Sequence, residues 1–170
     1  MGRKLTWILL IGVAVVGAAA YGERVFATPA SQFTGTTLAL GRFGDIDVMN
    51  QSFPDGFDRP WLSIQKTKAP SDLYVQSNVW AVGGSTGWHT HPGHSLIIVT
   101  AGTVTGYEGD DPNCSPHVYT QGMGFVDPGG DHVHLIRNEG SVEARSIAVQ
   151  LIPAGAMRRI NAPSPGTCPF

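Results

Sequence analysis

Three of the six histidines in the chain lie within six residues of one another, in the stretch GWHTHPGHSLIIVTAG at positions 87–102. Alternate side chains of a β-strand share a face, which would place His89 and His91 about 6–7 Å apart on one side. A second pair, His132 and His134, follows a glycine-rich turn some forty residues later. Two such strands side by side could hold three imidazoles around one metal ion. A single His-x-His pair also occurs as a hydrogen-bonded surface or core feature.

Short β-strands must position these histidines. Segments rich in Val, Thr, Ile and aromatic residues alternate with Gly, Pro, Asn and Asp, and the period of a long amphipathic helix is absent from the sequence. We predict an all-β jelly-roll barrel over residues 36–154, after a polar linker at 28–35 and before an extended tail at 155–170 lying over the barrel surface. The predicted strands are 36–43, 46–50, 61–67, 72–82, 87–91, 95–101, 103–109, 117–120, 124–127, 132–138 and 144–154.

The N-terminus carries the pattern of an export signal. Arg3 and Lys4 precede an uncharged run at residues 5–22, and Val25 and Ala27 provide the small residues of a cleavage site. We predict a signal peptide at 1–27; because the run is at the lower limit for spanning a bilayer, a helical membrane anchor is the alternative. Both predictions place the remaining chain outside the cytoplasm, and only an uncleaved segment would make the membrane a partner.

Charge and cysteine content restrict the partners and the compartment. The chain has a formal net charge of −2, and cleavage after residue 27 would remove three basic residues and one acidic residue. This acidic balance disfavours nucleic acid. The only cysteines, Cys114 and Cys168, would form a disulfide outside the cytoplasm and clip the tail to a loop, which adds ~4 kcal/mol in the chain-entropy model. Two free, buried thiols are the alternative.

The spacing around the first histidine pair resembles the first motif of the cupin superfamily. That motif is Gly, five residues, His-x-His, three or four residues, Glu, six residues and Gly. Gly83, His89, His91 and Gly102 stand at the corresponding positions, and Ser95 replaces the glutamate.

The second histidine pair lies in a stretch that resembles the second cupin motif. That motif is Gly, five residues, Pro-x-Gly, two residues, His, three residues and Asn. Gly122, Pro128, Gly130, His134 and Asn138 match it, with one extra residue before the histidine. The resemblance implies a cupin barrel.

The resemblance also implies a metal centre with an unusual charge. Its ligands would be His89, His91 and His134, with no acid because Ser95 holds the glutamate position, and the centre would have positions open to water or substrate. The missing carboxylate raises the charge by one unit and favours an anionic ligand. The sequence does not select among Fe, Mn, Zn, Ni and Cu. His94 and His132 are weaker ligand candidates, and His117 is predicted to be a surface residue.

Several side chains on the predicted strands could line a pocket, although core packing is the alternative for each aromatic residue. They are Ser95, Trp88, Trp80, Gln76 and Phe125.

Three functions remain open from the sequence. The first is a metal-dependent, dioxygenase-like oxidoreductase acting on a small anionic or enolic molecule, a chemistry known among cupins. The second is a non-catalytic extracellular cupin that binds a metal or small ligand, and the third is a purely structural barrel. Phosphate-binding loops and serine-hydrolase elbows are absent from the sequence. Catalytic residues are not identifiable, and a homodimer is left open.

Overall fold

The computed structural model describes residues 27–170, and every regular element within that range is a β-strand. Only Ala27 of the predicted signal or anchor segment lies inside the described range. In the part of the chain that the structure describes, no helix is long and apolar enough to cross a membrane. The strands are β1 (Ser31–Phe43), β2 (Asp47–Ser52), β3 (Trp61–Lys66), β4 (Ser71–Ser85), β5 (His89–Thr90), β6 (Ser95–Ala101), β7 (Thr103–Glu108), β8 (His117–Thr120), β9 (Gly124–Asp127), β10 (His134–Arg137), β11 (Ala144–Pro153) and β12 (Ile160–Asn161).

Ten of these strands form one sheet that curls into a nearly closed barrel. Hydrogen bonding follows the order β12-β5-β10-β4-β11-β6-β9, while β1 pairs with β4, and β7 joins β10 to β8. The remaining two strands, β2 and β3, pair only with each other as a separate hairpin. The predicted all-β barrel is confirmed.

Strand β6 shows which side chains face the barrel interior. Ser95, Ile97 and Val99 are buried, whereas Leu96 and Ile98 between them are more than half exposed. This period of two requires the odd-numbered positions to face inward. Ser95 therefore points into the barrel.

Two apolar clusters fill the space around the barrel interior. One contains Trp80, Val99, Val104, Ile136 and Ala144, with Phe33 packed against it. The other contains Trp88, Tyr107, Leu135, Ala162 and Cys168. The second cluster joins the barrel wall to the C-terminal tail, so the tail is anchored by burial as well as by hydrogen bonds.

The first strand begins earlier than the sequence predicts. Ser31 opens β1 inside the stretch 28–35 that was predicted to be linker, and β1 runs antiparallel to β4. The ring of Phe33 lies 5.0 Å from that of Trp80. Packing against a distant tryptophan, rather than local strand propensity, explains the extension.

The C-terminal tail contributes a strand that the sequence pattern did not predict. Ile160 and Asn161 form β12 and pair with Thr90 and His89 of β5. The predicted disulfide is confirmed: Cys114 and Cys168 are bonded, with Cα atoms 5.2 Å apart. The tail is therefore joined to the edge of the histidine strand and fixed at its far end.

Candidate metal centre

Three histidines from two neighbouring segments meet inside the barrel. His89 lies on β5 directly opposite His134 of β10, and His91 follows β5. Their ring centroids are 4.8 Å apart for His89 and His91, 4.3 Å for His89 and His134, and 5.5 Å for His91 and His134. One ligand atom from each residue lies within 4.8 Å of the other two. The structure therefore brings together the three predicted ligands.

Backbone carbonyls orient the three imidazole rings. The Nδ1–H of His89 donates to Gly87 O at 2.9 Å, and that of His91 donates to Arg158 O at 2.5 Å. His134 Nδ1 lies 3.4 Å from His132 O, a longer contact of the same kind. Such contacts fix the tautomer and leave Nε2 with its lone pair free for a metal.

Burial keeps these imidazoles uncharged near neutral pH. Desolvation is the largest cause that lowers the pKa of His89 and of His91 below its ordinary value. Desolvation also lowers the pKa of His134, to about 4, against an opposing effect from Asp127. A metal binds the neutral imidazole, so the rings are already in the ligating form.

These donors fit a divalent transition-metal ion. Three neutral nitrogen donors meet in a protected site, and each ring is oriented by a backbone acceptor, as is usual for metal-bound histidines. Imidazole donors suit Fe, Mn, Zn, Ni and Cu alike, so the residues define the site without choosing the metal.

The site contains a carboxylate that the sequence analysis did not expect. Asp127, the last residue of β9, is 5% exposed, and its Oδ2 lies 3.3 Å from His91 Nε2. Its Oδ1 lies 3.7 Å from His134 Nδ1. By ligand-atom distance Asp127 falls in a group with His132 and His134, so the predicted ligand set of His89, His91 and His134 stays a prediction.

Ser95 lies directly opposite this acid. The register of β6 and β9 pairs Ser95 with Asp127, and Ser95 Oγ donates to Asp127 Oδ2 at 3.5 Å. Both side chains are buried. The serine is thus inside the barrel, where its position in the motif predicts it, and its side chain donates to the aspartate.

A cavity of about 270 Å³ opens onto the histidines. Four predicted pocket residues, Ser95, Trp80, Gln76 and Phe125, lie on its wall. Trp88 does not: it immediately precedes β5, and its side chain is completely buried in the cluster with Tyr107.

Two arginines from the tail, which belong to no recognisable sequence motif, line the same cavity. Arg158 donates to Gln150, Gln76 and Thr37, while Arg159 donates to Asn161 and the carbonyl of Thr86. Neither contacts a carboxylate within residues 27–170. Burial lowers the pKa of Arg158, and it lowers that of Arg159 to about 10, so both remain cationic at neutral pH.

The other histidines lie outside the three-histidine group. His94 lines a separate apolar depression with Phe43 and Leu73. The Nε2 atom of His132 lies 2.7 Å from Glu108 Oε2. His132 also belongs to a second set of residues with ligand atoms close enough to hold a metal ion, together with Asp127 and His134.

Residues 79–150 match the family model described as a cupin domain. Among solved structures, a polyketide cyclase, RemF, from Streptomyces resistomycificus is 18% identical with a TM-score of 0.51, and the match covers 83% of this chain and 81% of that one. A cupin superfamily protein from Desulfitobacterium hafniense is 16% identical with a TM-score of 0.45, covering 71% and 78%. A predicted oxalate decarboxylase from Thermotoga maritima is 17% identical with a TM-score of 0.40, covering 50% and 83%. No curated protein matches the chain.

The nearly closed barrel, its three converging histidines and the family match together define the class. Residues 79–150 of the chain form a cupin domain.

Proposed function

We propose that this protein is an exported cupin that binds one divalent transition-metal ion through His89, His91 and His134 and holds a small anionic ligand beside it. The observation that carries the proposal is the convergence of three buried imidazoles whose ligand atoms lie within 4.8 Å of one another. A purely structural barrel would gain stability from apolar residues at these positions, because burying polar rings is costly. Metal binding therefore explains the three buried histidines better than a purely structural role does.

Export is supported by two independent features of the chain. The N-terminal segment has the charge and hydrophobicity of a signal peptide or anchor. The bond between Cys114 and Cys168 suits an oxidising compartment, because disulfides are rare in the reducing cytosol.

The anionic character of the ligand is supported by the charges in the cavity. Arg158 and Arg159 contribute two positive charges without a carboxylate partner in the described chain, and Asp127 contributes one negative charge. A bound divalent ion would make the cavity more positive still. Half-buried guanidinium groups bind carboxylates strongly through charge-assisted hydrogen bonds.

An enzymatic role is favoured by the position of Asp127. When bound, the metal supplies a Lewis acid with open positions. Asp127 places a carboxylate beside the metal site, with its Oδ2 3.3 Å from His91 Nε2, while Arg158 and Arg159 on the same cavity wall can orient the negative charge of a substrate. Trp80 and Phe125 add aromatic surface to the cavity wall. These features suit an oxygenase better than a passive binding module.

Metal titration of the full chain tests the proposed centre. Chelator competition with Co²⁺ or Zn²⁺ should give about one ion per chain, and His89→Ala, His91→Ala and His134→Ala should each abolish high-affinity binding. His94→Ala is the matched control and should bind like the wild type, because His94 faces a different depression. Equal losses in all four variants, or retention by His134→Ala, would contradict the proposed ligand set.

Oxygen consumption separates the enzyme from the binding module. The metal-loaded protein is supplied with enediols, thiols and flavonols in turn, and O₂ uptake is recorded with an electrode. Uptake that depends on both protein and metal is the expected result for an oxygenase. Metal binding without uptake on any of these classes would favour the non-catalytic cupin.

A further inference from the structure

We infer that Asp127 takes the place of the missing acid and serves as the carboxylate ligand of the metal centre, supplied by strand β9 instead of β6. The inference rests on the proposed function, since it requires that the three histidines bind a metal. It changes the composition of the centre from three neutral donors to three neutral donors and one anion.

The register of the barrel places Asp127 next to the position at which the family motif carries its acid. Ser95 and Asp127 are direct cross-strand partners in the antiparallel pair of β6 and β9. Directly opposed residues point to the same face of a sheet, with Cβ atoms roughly 4.5–5.5 Å apart. The side chain at position 127 therefore points into the barrel beside the side chain at position 95, from the neighbouring strand.

The two oxygens of Asp127 have different surroundings. Oδ1 accepts a hydrogen bond from Gly129 N at 2.9 Å, which holds the carboxylate in one orientation. Oδ2 is turned to the histidines and lies 3.3 Å from His91 Nε2, the nitrogen left free by the contact of Nδ1 with Arg158. One oxygen is thus held by the backbone, and the other faces the same space as a ligating nitrogen.

The charge of Asp127 is not balanced by a fixed cation. Within the described residues, its neighbours at ion-pair distance are the neutral imidazoles of His91 and His134, and neither lysine nor arginine contacts it. A buried carboxylate is costly unless it is paired or coordinates a metal. A bound metal ion would supply the counter-charge that the chain itself does not provide.

The serine at position 95 is explained by the same arrangement. A glutamate there would place a second negative charge beside the buried carboxylate of Asp127, and the two like charges would repel each other. Ser95 removes this repulsion and donates a hydrogen bond to Oδ2 at 3.5 Å. The two positions therefore form a coupled pair in which one carries the acid and the other supports it.

Charge removal at constant shape provides the first test. Asp127→Asn keeps an oxygen acceptor for Gly129 N, and Glu108→Gln is the matched control because it neutralises a nearby carboxylate that faces His132 instead. In Co²⁺ titrations against a chelator, Asp127→Asn should weaken binding by at least about tenfold, while Glu108→Gln stays within about threefold of the wild type. The visible Co²⁺ absorption of Asp127→Asn should also change in position or intensity, which a distant charge would not cause.

Relocation of the acid provides the second test. Asp127→Ser alone should lose affinity like Asp127→Asn, and the double change Asp127→Ser with Ser95→Glu should recover most of it by returning the acid to β6. Thermal unfolding of each metal-free variant shows that it is folded.

The outcomes separate this inference from the proposed function. If Asp127→Asn binds Co²⁺ with wild-type affinity and spectrum while His134→Ala loses the ion, the inference is overturned and the three-histidine centre stands. If His134→Ala also retains the ion, the proposed function fails as well.

Discussion

The individual charges of the cavity come from residues far apart in the sequence. Asp127 belongs to β9, whereas Arg158 and Arg159 come from the tail before β12. Arg158 also holds His91 through its backbone carbonyl. The tail thus affects both the proposed anion site, through its guanidinium groups, and the proposed metal ligands, through one carbonyl.

Arg159→Gln tests the cationic side of the cavity. We expect it to weaken binding of a small carboxylate such as acetate to the metal-loaded protein by at least about tenfold, because a hydrogen bond to a charged group contributes ~1.5–3 kcal/mol. Isothermal titration calorimetry measures this. Arg145→Gln makes the same change of net charge at an exposed arginine paired with Glu143, and it should have no effect. Equal weakening in both variants would mean that only the overall charge matters.

The sequence is sufficient to predict the group of three histidines but not the acid beside it. Two His-x-His pairs and the glycines around them are local patterns, and alternation along a strand determines which side chains share a face. Asp127 reaches the site through the register between β6 and β9, which a single sequence does not reveal. Its local pattern, Asp-Pro-Gly-Gly, indicates a turn, so its second role as a buried acid was missed.

The turn between β9 and β10 positions both the acid and one histidine. Gly129 and Gly130 have φ values of 69° and 67°, in the left-handed region that favours glycine. Gly130 N donates to His91 O at 2.7 Å. This turn therefore ties the first histidine segment to the second.

Gly129→Ala should destabilise the protein much more than Gly122→Ala. A Cβ at position 129 would lie 2.2 Å from Gly93 O, whereas one at position 122, with φ of 87°, would meet no atom within 4 Å. We expect about 1 kcal/mol for Gly122→Ala from backbone conformation alone, and ~3 kcal/mol or more for Gly129→Ala. Urea unfolding measures both. Similar losses in the two variants would show that the close approach to Gly93 is relieved at little cost.

Elements with a clear local signal were predicted well. Strands β6, β8 and β9 have the predicted bounds, and most others differ by a few residues at their ends. The exceptions depend on tertiary contacts: β1 is extended by packing of Phe33 on Trp80, and β12 forms because its two residues pair with β5. Neither contact leaves a local pattern in the sequence.

At the scale of the whole molecule, the disulfide joins the tail to the loop between β7 and β8. Cys168 is buried in the cluster with Trp88 and Tyr107, and the bond closes a separation of 54 residues. The same tail carries β12 and the carbonyl that holds His91. Stability and metal affinity should therefore depend on the same bond.

Reduction of the disulfide should lower the free energy of unfolding by ~4 kcal/mol, because the unfolded chain gains the freedom that the closed loop denied it. Urea unfolding with and without reductant measures the difference, and metal titration should show weaker binding after reduction. The double variant Cys114→Ser with Cys168→Ser controls for the reductant and should not respond to it. A change below about 1 kcal/mol in the wild-type protein would contradict this role for the tail.

The central claim, a metal ion held by His89, His91 and His134, is tested most directly by anomalous diffraction. Crystals of protein purified from its native compartment, without added metal, are measured on both sides of the absorption edges of Fe, Mn, Zn, Ni and Cu. We predict one strong anomalous peak about 2.0–2.2 Å from the Nε2 atoms of all three histidines. A peak between His132 and Glu108 instead, or a cavity with no peak after soaking in Co²⁺ or Zn²⁺, would contradict it.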